Sequence, residues 1–196
     1  MNKCQISEIN IIKNEIDKGE VIAIPTDTIY GVGSNISSYD KIIKLKKRDK
    51  KPLAILCHSI EEMQKIINIP LIHIDTLKSL TPGALTIVGK TINPKFNINK
   101  GFETTGVRIP NHKSLLKLLA KTGPLVVSSA NISGEIETYS IEDVEKIFGN
   151  QITLYVENDQ KLSKTASTVL NINTLEIYRS GENCNEIVHK LKKDLK

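Results

Sequence analysis

Short apolar runs alternate along this chain with segments whose apolar residues recur at helical spacing. Ile9, Ile12 and Ile16 follow Ser7 and precede Gly19, which predicts an amphipathic helix over residues 7–18 with a serine cap. The run 21–24 (VIAI) reads as a short buried strand stopped by Pro25. Ser38 opens a helix to residue 47 with Ile42, Ile43 and Leu45 towards a core, and 52–57 (PLAILC) reads as a second strand. Ser59 with Glu62 has the form of a capping box, a short helix covers 71–80, and 84–89 (ALTIVG) forms a third strand. Beyond these come a strand at 105–110 (TGVRIP), a helix at 112–121 burying Leu115, Leu116, Leu118 and Leu119, and a strand at 124–128 (PLVVS). Ser140 and Asp143 open a helix ending at Phe148, and the tail supplies strands at 152–156, 168–172 and 175–179 with a closing helix at 183–195. Strands alternate with helices early and pair locally late. That order predicts an α/β fold with a twisted mixed sheet flanked by helices.

The places where the pattern breaks carry the candidate chemistry. After the strand 21–24 the chain reads PTDTIYGVG, crowding Thr26, Asp27, Thr28 and Tyr30 onto a turn closed by Gly31 and Gly33. Such a turn offers hydroxyls and open backbone to a small polar ligand, and it equally fits an ordinary strand-to-helix loop. A second small-polar turn, SSANISG at 128–134, also follows a buried strand, where serine and asparagine suit either phosphate oxygens or simple turn chemistry. Residues 90–104 turn to Asn, Lys, Pro and Gly with Phe96 and Phe102 as the large apolar groups, the composition of a lid or of a disordered excursion. Five cations fall within Lys46–Lys51, a cluster that is either a solvated helix end or a triphosphate grip.

Charge composition sharpens this picture. The chain of 196 residues is expected to form one domain, 1–196, and its net charge of +5 with pI near 9.0 suits an anionic partner such as a nucleotide or RNA. Of 27 basic residues only three are arginine, Arg48, Arg108 and Arg179. Arginine grips carboxylate or phosphate with a planar fork, so in a lysine-rich chain these positions are candidates for that geometry. Arg108 lies among apolar neighbours and needs an acidic side chain or an anionic ligand. Cys4, Cys57 and Cys184 form no CxxC pair, the N-terminus has no apolar stretch of signal-peptide length, and no run of 18 apolar residues occurs, which makes the cytoplasm the expected compartment and gives no membrane contact.

Other chemistries lack their signatures. No GxxxxGK[ST] is present, Gly31-x-Gly33 lacks the third glycine of a dinucleotide fingerprint, and no GxSxG supplies a nucleophile. His58, His73, His112 and His189 show no metal spacing. What remains is a site of hydroxyls, amides, lysines and arginines, suited to orienting anions for direct displacement at phosphorus.

Taken together, the motifs resemble the YrdC family of L-threonylcarbamoyl-AMP synthases. They are PTDTIYGVG at 25–33, KKR with KPL within 46–53, TPGALT at 81–86, TTGVRIP at 104–110, SSANISG at 128–134, STV at 167–169 and RSG at 179–181. The resemblance implies a YrdC-like fold with a concave, positively charged cavity and no C-terminal extra domain. It assigns Thr28, Arg108 and Ser167 to L-threonine, with Arg108 on the carboxylate. Lys46 and Arg48 are implied as the catalytic pair on the triphosphate, and Thr104, Ser129, Asn131 and Arg179 as further ATP contacts. Longer members carry a threonine-binding histidine where Leu56 stands here.

The implied reaction joins bicarbonate to the threonine amine. The carbamate then attacks the α-phosphorus of ATP and expels pyrophosphate. Magnesium enters as Mg-ATP, held mainly by phosphates and water with no dedicated protein ligand set; Asp27 is a candidate either for a metal contact or for fixing its turn. The product passes to the tRNA threonylcarbamoyl transferase machinery. Two other readings stand beside it: a module binding double-stranded RNA or tRNA weakly through its basic charge, and a carbamoyl transferase akin to hydrogenase-maturation proteins, against which the missing zinc-finger and acylphosphatase segments argue.

Overall fold

The structure, a computed structural model, describes residues 2–47, 52–99 and 101–195, so Arg48 lies outside the described residues. Ten strands form one mixed sheet. They are β1 (Asn2–Gln5), β2 (Ile22–Pro25), β3 (Tyr30–Asn35), β4 (Ala54–Leu56), β5 (Leu85–Lys90), β6 (Thr104–Arg108), β7 (Leu125–Ser129), β8 (Leu154–Glu157), β9 (Thr168–Asn171) and β10 (Ile177–Arg179). Their spatial order is β1-β8-β2-β3-β7-β4-β6-β5-β9-β10. The helices are α1 (Ile9–Asp17), α2 (Tyr39–Leu45), α3 (Ile60–Gln64), α4 (Ile74–Leu80), α5 (Lys113–Thr122), α6 (Ile141–Phe148) and α7 (Cys184–Lys193).

Two apolar clusters cover the sheet. In the smaller, Ile12 and Ile16 of α1 and Leu115, Leu118 and Leu119 of α5 pack with Ile22, Ile24 and Leu125. In the larger, Ile42, Met63, Leu77, Val144, Phe148 and Leu191 join Ala23, Val32, Ile55, Ile87 and Val107. Each Val, Leu, Ile, Met or Phe among them contributes about 1.5–3 kcal/mol on leaving water, which is why the helical periodicity is a usable signal. Side-chain caps form at two of the expected places, where Ser59 Oγ accepts from Glu62 N at 3.2 Å and Ser140 Oγ from Asp143 N at 3.2 Å, but Ser38 at the start of α2 makes no side-chain cap bond. Ser7 does not cap; α1 begins after Glu8, whose carboxylate instead accepts from Gln5 N at 2.7 Å.

Three departures from the sequence expectation bear on the site. The stretch after Ile24 is a β-hairpin rather than a strand leading to a helix loop. Pro25 pairs with Tyr30 and Ile24 with Gly31, and the turn is closed by Thr26 N donating to Ile29 O at 3.2 Å. Gly31 and Gly33 therefore lie inside β3; a Cβ at Gly31 would stand 2.8 Å from Val127 Cγ1 and 3.1 Å from Ser128 O, so the residue serves close strand packing. Secondly, β1 forms a parallel edge strand on β8, although only Cys4 of its four residues is buried. Thirdly, residues 90–99 of the loop are tied down: Phe96 and Ile98 are buried, and Asn99 Oδ1 accepts from Leu53 N at 2.8 Å while its Nδ2 donates to Leu53 O at 3.2 Å.

Candidate active site

A cavity of about 600 Å³ opens on one face of the sheet beneath the β2–β3 turn. Its floor is set by strand register. Leu56, Arg108, Thr86 and Val169 stand side by side across β4, β6, β5 and β9, and Ala54, Gly106 and Val88 form the neighbouring row. The first row carries the polar groups Arg108 and Thr86, and the second is apolar throughout.

Arg108 organises the polar end. Its Nη1 donates to Thr28 Oγ1 at 2.9 Å, Nη2 to Asp27 Oδ1 at 2.7 Å and Nε to Gly83 O at 3.1 Å. A guanidinium carries five N–H groups, so one on each terminal nitrogen has no hydrogen-bond partner among the described residues. Burial pushes its pKa down; Asp27 opposes that shift, and the positive charge of Arg179 adds to it. The turn itself is held by Thr26, whose Oγ1 accepts from Thr28 N and Ile29 N at 3.1 and 3.2 Å. From the far end of the chain, Ser163 N and Lys164 N donate to the carbonyls of Asp27 and Thr28 at 2.9 and 3.0 Å. The Asp27 carboxylate is engaged on Arg108 through Oδ1, which ties the turn to β6. No group of three or more His, Cys, Asp or Glu that could hold a metal occurs among the described residues.

A second cluster joins the first across β5. Ser167 Oγ lies 2.9 Å from Thr86 Oγ1, and Arg179 donates from Nη2 to Ser167 Oγ and from Nε to Ser167 O, both at 3.0 Å. Gly181 permits this approach, because a Cβ there would overlap the backbone of Ala166 and Ser167. One of the two hydroxyl protons is used between Thr86 and Ser167, so the pair keeps a single one to offer the cavity.

The third cluster centres on Lys46, only 1% exposed at the end of α2. Its ammonium donates to Ser129 O, to Ser129 Oγ at 3.1 Å and to Asn131 Oδ1 at 3.0 Å. Asn131 is oriented by Nδ2 donating to Glu135 O at 2.6 Å. Ser129 and Thr104 line the cavity, with Lys46 and Asn131 behind Ser129.

Thus Thr28, Arg108, Ser167, Thr104, Ser129 and Arg179 share one cavity, with Lys46 and Asn131 bonded to its wall. Sequence reasoning passed over Thr86, Val88, Val169 and Tyr178 as lining residues, though Thr86 sits in the quoted TPGALT motif. Leu56 lines the cavity too. A second cavity, about 680 Å³, lies beyond the Asp27–Arg108 pair and is bounded by Asp27, Gly83, Ser163 and Glu182; of the predicted substrate-binding residues it contains none.

The family profile Sua5/YciO/YrdC, described as telomere recombination, matches residues 14–181. The chain belongs to this family. A threonylcarbamoyl-AMP synthase of Pseudoalteromonas translucida is 28% identical over 172 residues, covering 83% of this chain and 91% of that one. The structure of Pyrococcus abyssi Sua5 complexed with L-threonine superposes with a TM-score of 0.85 at 26% identity, over 96% of this chain and 60% of that chain. Escherichia coli YciO matches in fold, with a TM-score of 0.81 at 24% identity over 92% of each chain. No helix among the described residues is long and apolar enough to cross a membrane.

Proposed function

We propose that this member of the Sua5/YciO/YrdC family is an L-threonylcarbamoyl-AMP synthase, a nucleotidyltransferase-type enzyme that makes threonylcarbamoyl-AMP and pyrophosphate from L-threonine, bicarbonate and ATP. The observation that carries the reading is the Arg108 fork, buried at the polar end of the cavity with two N–H groups left over and Thr28 and the Thr86–Ser167 pair around it. A carboxylate accepts two parallel N–H bonds from such a fork. Similarity to a Sua5 that binds L-threonine over 96% of the chain supports the same assignment.

In this mechanism the threonine carboxylate sits on Arg108, and the hydroxyls of Thr28 and Ser167 orient the rest of the amino acid. The amine adds to carbon dioxide derived from bicarbonate, losing a proton to give the carbamate. A carbamate oxygen then attacks the α-phosphorus, the bond to the bridging oxygen breaks, and pyrophosphate departs with its electron pair. Lys46 and Arg48 neutralise the leaving group, Lys46 by exchanging a Ser129 or Asn131 oxygen for a phosphate oxygen. Thr104, Ser129, Asn131 and Arg179 hold the nucleotide. Magnesium arrives with ATP as part of the substrate, and the product serves N6-threonylcarbamoyladenosine modification of tRNA in the cytoplasm.

The test is pyrophosphate release from ATP by the purified chain, omitting threonine and bicarbonate in turn. Release that needs both supports the synthase; untouched ATP under all conditions overturns it. An RNA-binding module would instead show steeply salt-dependent RNA affinity and indifference to Arg108→Ala.

A further inference from the structure

The apolar end of the cavity has no role in the assignments above. Opposite Arg108 it is floored by Ala54, Gly106 and Val88 and bordered by two exposed aromatic rings, Phe102 and Tyr178, 43% and 52% exposed. Exposed aromatic surface at the apolar end of a cavity invites a flat apolar partner.

Tyr178 reaches this position through an irregularity in β10. Ile177 pairs with Leu170, which is buried in the core on the other face, whereas Arg179 pairs with Val169, which lines the cavity. The register shifts between them, so both Tyr178 and Arg179 face the cavity, where regular alternation would send one of them away. Asn171 Nδ2 donates to Tyr178 Oη at 3.1 Å at the far end of the ring. The ring lies beside an arginine already engaged with Ser167. Across the floor, β7 carries Ser129, to which Lys46 and Asn131 are bonded, five strands away from β10 in the sheet order.

We propose that Tyr178, with Phe102, forms the stacking platform for the nucleotide base, leaving the phosphates to the Ser129 side of the cavity. This rests on the synthase reading and adds the residues that distinguish a nucleotide from a bare polyphosphate. Neither aromatic belongs to the motifs that carry the family resemblance.

The test compares ATP with inorganic tripolyphosphate, binding each by calorimetry to the full chain, wild type and Tyr178→Ala, Tyr178→Phe and Phe102→Ala. Stacking on one aromatic supports a loss of about 5- to 100-fold in ATP affinity for each alanine variant. Tripolyphosphate affinity should stay within about threefold, and Tyr178→Phe should retain ATP binding because it keeps the π face. Unchanged ATP affinity in both alanine variants overturns the proposal. So does an equal loss for ATP and tripolyphosphate, which would mean that β10 and Arg179 had been displaced. A wild-type chain that binds neither ligand would bring down the synthase reading itself, an outcome distinct from ATP binding that ignores the aromatics.

Discussion

Replacing Asp27 strips the Arg108 guanidinium of its counter-charge. The pair is 2.7 Å apart, with the Arg108 and Asp27 side chains 8% and 11% exposed. Removing one partner of so buried a pair costs about 3–5 kcal/mol, since the remaining ion keeps its desolvation penalty and loses its attraction; that is the loss expected for Asp27→Ala. Asparagine keeps an acceptor for Nη2 but not the charge. With charge centres about 4 Å apart and an effective dielectric of about 20, the lost attraction is about 4 kcal/mol. The retained hydrogen bond and readjusted solvent bring the expected loss for Asp27→Asn to about 2 kcal/mol. Urea denaturation measures both. At a slope of about 2 kcal/mol per molar, the midpoint should fall by about 1 M for Asn and further for Ala, with the slope unchanged. Adding Arg108→Met to Asp27→Ala should return about half of the loss, because no buried ion then remains. An Asp27→Asn midpoint within about 0.2 M of wild type would refute the reasoning and show that water or another group already neutralises Arg108.

Other consequences are tested as simply. Gly31→Ala should lose about 1–3 kcal/mol to overpacking against Val127, and Val127→Ala should rescue only part of it, since Ser128 O stays 3.1 Å from the new methyl; thermal midpoints of the three variants check this. Asp194 accepts from Thr76 Oγ1 at 2.6 Å and lies 2.7 Å from His73 Nδ1, contacts that hold its pKa below the usual carboxylate value. A lowered folded-state pKa contributes stability that is present above the unfolded value and lost as pH falls through the folded one. The stability gap between wild type and Asp194→Asn should therefore be constant above about pH 5 and shrink below about pH 4; a gap unchanged in acid would contradict the assignment. Arg108→Lys keeps the charge but not the fork, and should weaken threonine at least tenfold in a binding titration while leaving ATP affinity largely intact. Arg48→Ala should remove most pyrophosphate release without unfolding the chain, as read by circular dichroism; wild-type turnover would dismiss its role.

The helices were legible because caps and periodicity are local. Leu115, Leu118 and Leu119 lie on one face of α5, and Ser140 meets Asp143 three residues on, so no knowledge of distant partners is required. The strands β1 and β3 were not. β1 buries only Cys4 and is defined by its pairing with β8, more than a hundred residues away in the chain. In β3, Gly31 and Gly33 look like turn residues until Val127 is placed against them. The site was legible as a set of motifs but not as an arrangement. Nothing in the sequence pairs Asp27 rather than a ligand with Arg108, seats Lys46 behind Ser129, or marks the register shift that turns Tyr178 into the cavity.

The position of β8 between β1 and β2 has a consequence for biosynthesis. A ribosome delivers β1 and β2 well over a hundred residues before the strand that joins them, Leu154–Glu157. Until then one edge of β2 is unpaired, and the carbonyls of Asp27 and Thr28 wait for Ser163 and Lys164. The nascent chain therefore carries an adhesive apolar edge while well over a hundred further residues are synthesised, and it acquires its binding turn in finished form only after that interval.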